Sequence, residues 1–435
     1  MSTVSTSGPP VPDSAAVAAV LEGQPALRGW YEDLYRHLHA HPELSMQEHA
    51  TAERVVSELR AAGADDAVVT SGIAGTGVTA VLANGDGPTV LLRADMDGLP
   101  VLEDTGLDYA SRATAVDRDG TAVPVMHACG HDTHVTCLLA AYRLLAQHRD
   151  AWSGTVIALF QPAEEAFNGA EAMVADGLTE TLPRPDVALA QHLWPGAAGT
   201  VLLSPGAVMA ACDDVRITLH GRGGHGSAPH EAIDPVVMAA SLVMRLQTVV
   251  SRELPPTDTA VVTVGSLHAG TKNNIIPATA VLDLTVRTYD EGVRARALAA
   301  VERMARAEAL AAGAPEPQVE VYDSLPVTHN DPEVTARVRA ALEAGLGAEQ
   351  VRAMQVQAGS EDFGVVPDAF GTPYTYWGFG AFDADRWDAS VEAGTTATDF
   401  PDNHSPHFAP VLQPVLDTGV TALVTAALAW LAPGR

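Results

Sequence analysis

The densest concentration of reactive side chains in this sequence is His127-Ala128-Cys129-Gly130-His131-Asp132-Thr133-His134. A thiolate and an imidazole two residues apart can reach one cation, because the glycine between them lets the backbone turn tightly. One such pair alone would read better as a buried cysteine beside solvated histidines. Four metal-competent groups within six residues favour ligation instead. Glu164-Glu165 follows an apolar run ending in Phe160-Gln161-Pro162. Neighbouring residues on a turning backbone point in different directions, so one carboxylate can hold a metal while the other takes a proton from water. His192 directly follows another apolar run, and Asn403-His404-Ser405-Pro406-His407 puts two histidines in a short loop; neither signal is specific alone. Arg93-Ala94-Asp95-Met96-Asp97 offers two carboxylates. Asp97 could fix the tautomer of a ligating imidazole, or Arg93 could form a salt bridge that caps a strand.

These residues need a scaffold that gathers them. Helical spacing of Leu27, Trp30 or Tyr31, Leu34 and Leu38 predicts a helix from about Pro25 to His41-Pro42. Ser45 and Glu48 have the spacing of a capping box opening a second helix that stops at Gly63. Strands are expected over 77–83, 89–94, 154–161 and 186–190, and helices over 135–145 and 171–176. This alternation predicts an α/β fold with a mostly parallel sheet covered by helices. Asp95, Asp97, Glu164, Glu165 and His192 then fall just past the carboxyl ends of strands, where such sheets carry function. From Cys212 the rhythm changes to strand, helix, strand, strand, helix, strand, the pattern of an inserted α+β (ferredoxin-like) domain. Its Gly221–Gly226 stretch, carrying His225, lacks the Lys-Ser/Thr ending of a phosphate loop and reads as a flexible surface loop. The expected organisation is a flexible tail over 1–24, a catalytic domain over 25–211 and 324–435, and an insert over 212–323.

Of 435 residues, 47% are apolar, enough for a sizeable core. The 25 basic and 54 acidic residues give a net charge of −29, which argues against nucleic-acid and anionic-membrane partners. Three cysteines, an N-terminus without a secretory pattern and the lack of a long apolar span together predict a cytoplasmic protein.

The motifs, in order, resemble the dinuclear metallopeptidase and aminoacylase clan, in the branch of hippurate, auxin-conjugate and N-acyl-amino-acid amidohydrolases. The resemblance runs from about Trp30 to Pro410. It rests on Arg36-His37-Leu38-His39-Ala40-His41-Pro42-Glu43-Leu44-Ser45, Arg93 to Pro100, His127 to His134, Gln161 to Glu165, His225 to His230, Asn274 to Pro277, Gly359-Ser360-Glu361-Asp362-Phe363 and His404-Ser405-Pro406. It implies that Cys129, His131, Glu165, His192 and His404 hold two divalent metal ions. Zinc suits a thiolate ligand best, with manganese, cobalt or nickel as alternatives. It also implies that Glu164 is the general base and that Asp97 orients a ligand. His225 would reach the reacting carbonyl from the insert, commonly that of a dimer partner. Asn274 and Arg287 match substrate-contacting positions, and His134 is expected beside the substrate.

The implied activity is hydrolysis of an N-acyl amino acid to a carboxylic acid and a free amino acid, in a homodimer formed through the insert. A dipeptidase or carboxypeptidase on the same scaffold is the alternative. A storage protein would need the ligands but not an adjacent base such as Glu164.

Overall fold

The central strands of the larger unit are largely apolar on both faces, as a sheet covered by helices on either side requires. Thr89–Asp95 is buried from its second residue onward, and Tyr374–Phe382 is buried throughout. In the computed structural model, which describes residues 14–63 and 69–434, these strands lie inside one mixed sheet. Its order is Val69–Ile73, Gly77–Asn84, Trp152–Gln161, Thr89–Asp95, Val187–Ala197, Tyr374–Phe382, Val201–Leu202 and Val351–Arg352. The four central strands pair in parallel, as the alternation predicts. Both flanks add antiparallel pairings, between Gly77–Asn84 and its two neighbours and between Tyr374–Phe382 and Val201–Leu202. The helices His131–Gln147 and Val415–Leu428 are almost wholly buried against this sheet. Among the described residues, no helix is long and apolar enough to cross a membrane.

The described residues within 1–206, 329–355 and 362–435 make up this larger unit. Residues 207–328 and 356–361 form a second one. The second unit has a four-stranded antiparallel sheet in the order Ala260–Ala269, Thr279–Thr288, Ala211–His220, Gln318–Leu325. The helices Pro235–Thr248 and Glu291–Ala311 pack Leu242, Leu246, Val301 and Met304 against Ile217, Leu219, Leu282 and Leu284. Asp234 and Asp290 cap these helices by accepting from Val236 N and Val293 N.

Two local expectations are corrected. Residues 14–21 of the expected flexible tail form a helix that buries Val17 and Val20; residues 1–13 of that tail lie outside the described residues. Ser45 and Glu48 do not make a capping box. The second helix starts at His49, and Glu43 accepts instead from Ala50 N at 3.0 Å and Thr51 N at 2.8 Å. Ser45 and Glu48 turn inward to other partners described below.

One buried ion triad ties the helix Gln24–Ala40 to the start of His131–Gln147. His39 Nδ1 lies 2.7 Å from Asp132 Oδ2 and its Nε2 lies 3.1 Å from Glu103 Oε1. Burial works against the charged ring, but Asp132 and Glu103 push its pKa up to about 9. A raised histidine pKa stabilises the fold fully below the unfolded value near 6.5 and loses that stabilisation as pH rises through about 9. Urea denaturation of wild type and His39→Gln should therefore give a stability gap that narrows by about 3 kcal/mol between pH 6 and 10. A gap independent of pH would show that His39 is neutral in the fold.

Candidate metal centre

The reactive residues sit where parallel strands end and helices begin. Asp95 ends Thr89–Asp95, Gln161 ends Trp152–Gln161, and His192 lies within Val187–Ala197. Gly130 has φ +83, and a Cβ there would stand 3.0 Å from Leu193 Cδ2, so this turn requires glycine. The left-handed turn presents Cys129 and starts the helix that carries His131, Asp132 and His134 in its buried first turn.

Each ligand candidate is oriented by a hydrogen bond. Asp97 Oδ1 lies 3.2 Å from His131 Nδ1, which leaves Nε2 to face the cluster. His192 Nδ1 donates to Leu193 O at 2.9 Å, and its Nε2 lies 3.5 Å from Cys129 Sγ. Asn403 Nδ2 donates to Leu193 O at 3.1 Å and Cys129 O at 3.3 Å, and His404 N donates to Ala128 O at 2.8 Å. His404, held at φ 69, brings its Nε2 to 3.2 Å from Glu165 Oε1.

The donor set fits a divalent cation. His131 Nε2 is buried without a hydrogen-bond partner, 3.8 Å from Asp95 Oδ2 and 3.9 Å from both Glu164 Oε2 and Glu165 Oε1. Donor atoms spaced this way can each lie about 2.0–2.3 Å from a shared ion. Cys129, Glu165 and His404 form one compatible group, and His131, Glu164 and Glu165 another. A third grouping of Asp95, His131, His134 and His192 is spatially compact. However, Asp95 and His134 in it already bind protein partners.

Electrostatics point the same way. Burial opposes charge on His131, yet Asp95, Asp97 and Glu165 push its pKa up to about 10. Burial, then Glu165 and Glu164, hold the Cys129 thiol well above its usual range. Burial and His134 keep His192 neutral, with its pKa well below the usual value. The carboxylates thus hold protons on His131 and Cys129 that a bound cation would displace.

Cys129, His131, Glu164, Glu165, His192, His404 and Asp97 therefore converge. His134, expected beside the substrate, is buried, with both ring nitrogens engaged within the protein. Its Nδ1 pairs with Asp95, and its Nε2 accepts from Leu193 N at 2.8 Å. His225, Asn274 and Arg287 belong to the second unit. His225 is exposed and pairs with Ile275 in a short two-stranded ladder. Its Nδ1 lies 2.7 Å from Ser227 Oγ, and neighbouring Gly226 N donates to Asn274 O at 2.8 Å. Arg287 Nη1 donates to Ala358 O at 2.8 Å and Ser360 Oγ at 3.1 Å.

Residue spacing did not reveal the buried network behind the ligands. Arg93 bonds Asp95 at 2.6 Å, Gln161 at 2.9 Å and Asp362 at 3.1 Å, while Gln161 Nε2 donates to both Asp362 oxygens. The expected Arg93 salt bridge is part of it, while Asp362 was signalled only by the motif Gly359-Ser360-Glu361-Asp362-Phe363.

Residues 91–393 match the family model described as peptidase family M20/M25/M40. The chain belongs to this family. N-acetyl-L-cysteine deacetylase of Bacillus subtilis is 38% identical over 310 residues, 70% of each chain. Thermostable carboxypeptidase 2 of Saccharolobus solfataricus is 34% identical over 342 residues, 78% of this chain and 82% of its own. The crystal structure of YxeP from Bacillus subtilis, described as a dinuclear metal-binding peptidase of the M20 family, superposes with a TM-score of 0.74 at 27% identity. That match covers 93% of this chain and 98% of the other. As an M20 member, this protein is a metal-dependent hydrolase that cleaves amide bonds.

Proposed function

We propose that this protein hydrolyses N-acyl amino acids, with two divalent cations held by Cys129, His131, Glu165, His192 and His404. The carrying observation is a pair of adjacent carboxylates 3.9 Å from the unpartnered His131 Nε2, of which Glu165 also lies 3.2 Å from His404. Glu165 Oε1 turns toward both His404 and His131, while Glu164 Oε2 approaches His131 Nε2 separately. The likeness to an N-acetyl-L-cysteine deacetylase and to a dinuclear M20 peptidase supports the substrate class and the metal count.

When bound, the cations supply Lewis acidity and lower the pKa of water. Glu164 accepts the water proton as the amide carbonyl is attacked, then returns it to the leaving amine. Asp97 and the Leu193 carbonyl fix the imidazoles of His131 and His192. Zinc suits the thiolate donor best, with manganese, cobalt and nickel as alternatives.

In this reading Asn274 and Arg287 contact the substrate, and His225 reaches the reacting carbonyl. Arg287 lies near the far end of Thr279–Thr288, whereas His225 pairs with Ile275 ahead of that strand's start, and the strand between Thr279 and Arg287 alone accounts for roughly 27 Å at the rise of an extended strand. A small N-acyl amino acid cannot span that distance within one unit, which supports supply of His225 by a dimer partner. The insert also has a surface suited to a second copy. Its edge strand Ala260–Ala269 exposes Val261 and Leu267, and the helix Pro235–Thr248 exposes Val237 and Met244. In this reading the protein is a cytoplasmic homodimer.

A panel of N-acetyl and N-benzoyl amino acids, dipeptides and longer peptides, run with each of the four metals, tests the substrate class. With Glu164→Gln as the blank, the N-acyl amino acids should exceed the peptides by at least about tenfold in kcat/KM, a transition-state preference of about 1.4 kcal/mol. A preference for peptides would make the enzyme a dipeptidase or carboxypeptidase.

A further inference from the structure

The elbow that carries Glu164 is held by two buried carboxylates acting on three consecutive backbone amides. Asp97 accepts from Glu164 N at 3.2 Å and Glu165 N at 3.0 Å, together with Ser45 Oγ at 2.6 Å. Ala163 N goes elsewhere. It donates to Glu48 Oε1 at 2.9 Å, and Met46 N donates to the same oxygen at 2.9 Å. Glu48 Oε2 accepts from Thr76 Oγ1 at 2.7 Å, and the side chain is wholly buried.

Both amides on Glu48 Oε1 belong to non-glycine residues with left-handed backbone: Met46 at φ 64 and Ala163 at φ 50. Each such conformation is costly and persists only where its surroundings enforce it. The neighbouring chain leaves little room for another path. Phe167 N donates to Glu164 O at 2.8 Å, and a Cβ on Gly169 would lie 1.7 Å from Pro162 O. Glu48 therefore fixes the amide of the residue immediately before Glu164, whose carbonyl accepts from Gly169 N at 3.2 Å, while Asp97 fixes Glu164 itself.

Resting on the reading of Glu164 as general base, we infer that Glu48 is a positioning residue for proton transfer. Through the Ala163 amide it sets the direction of the Glu164 carboxylate. Geometry, rather than the charge of Glu48, performs this task. A glutamine at 48 can keep its amide oxygen on Met46 N and Ala163 N while its NH2 donates to the Thr76 hydroxyl. An alanine leaves both strained amides without their acceptor.

The test compares Glu48→Ala, Glu48→Gln and Glu48→Asp in the zinc-loaded enzyme, measuring kcat, KM, Tm and metal content by elemental analysis. Glu48→Ala should retain its metal and a KM within about threefold, yet lose about 100-fold in kcat, the scale of a misaligned catalytic group. Glu48→Gln should recover kcat to within about fivefold of wild type, since its acceptor is restored. Unchanged kcat in Glu48→Ala would overturn the inference, as would loss of metal or a Glu48→Gln as impaired as the alanine variant. If Glu48→Ala does not fold, Glu48→Asp, whose shorter arm cannot reach both amides, must fall well below Glu48→Gln; equal rates would overturn the inference.

Added formate separates this idea from the base assignment. It should restore turnover to Glu164→Ala, whose missing group is a proton acceptor, but not to Glu48→Ala. Full activity in Glu164→Ala without formate would remove the base assignment whatever the Glu48 variants do. If Glu164→Ala is inactive and rescued while Glu48→Ala keeps its kcat, only the positioning role falls.

Discussion

Glu164→Gln is expected to bind its metals normally and to lose turnover by about 10³-fold, within the range of general-base catalysis. The substitution keeps the shape of the side chain and removes its ability to accept a proton. The metal set survives because the ligand role rests on the neighbouring residue. Glu165 joins Cys129 and His404 in one compatible set of donors, with its Oε1 3.2 Å from His404 Nε2. The elbow survives as well, since it is held through backbone amides by Asp97 and Glu48 and not by the Glu164 side chain. Metal analysis and single-turnover kinetics on the purified variant check both halves. Activity within tenfold of wild type would remove Glu164 from the base role, and loss of metal would recast it as a ligand.

The contrast between Glu165 and Glu48 shows what could be read from the sequence and what could not. Cys129 and His131 stood out because such types are rare in close combination, and Glu164-Glu165 because the pair follows an apolar strand, whereas the choice of Glu165 and His192 as ligands came from the resemblance. The helices and central strands were legible because apolar periodicity is local. Glu48 has the same side chain as Glu165, but its local pattern suggested a capping box. Glu43 accepted the helix amides instead, which freed Glu48 for partners 28 and 115 residues away. Asp362 was hidden in the same way, since it meets Arg93 across 269 residues. His134 shows the converse error. The resemblance implied a place beside the substrate, yet Asp95 and Leu193 take both of its ring nitrogens. Contacts set by chain topology leave no trace in residue spacing.

Mixing two inactive variants should restore activity if His225 acts on a partner's substrate. His225→Ala removes one donor aimed at the developing oxyanion and should lower kcat by about 10²-fold or more without reducing metal content. Glu164→Gln is inactive for the separate reason given above. In a twofold-symmetric dimer of one chain of each kind, one site receives Glu164 from the His225→Ala chain and His225 from the Glu164→Gln chain. That site is intact, and the other lacks both groups. Statistical exchange makes half the dimers mixed with one working site in two, so the mixture should approach about a quarter of wild-type activity. Unfolding and refolding the two variants together, then assaying against each refolded alone, gives the comparison. His225 is exposed, and its Nδ1 is occupied by Ser227 within its own loop, so its removal should not disturb the insert's core. No recovery in a mixture proven by tagging to contain mixed dimers would place His225 at its own subunit's site. It would also leave the separation of His225 and Arg287 along Thr279–Thr288 to be bridged by a different pairing of substrate contacts.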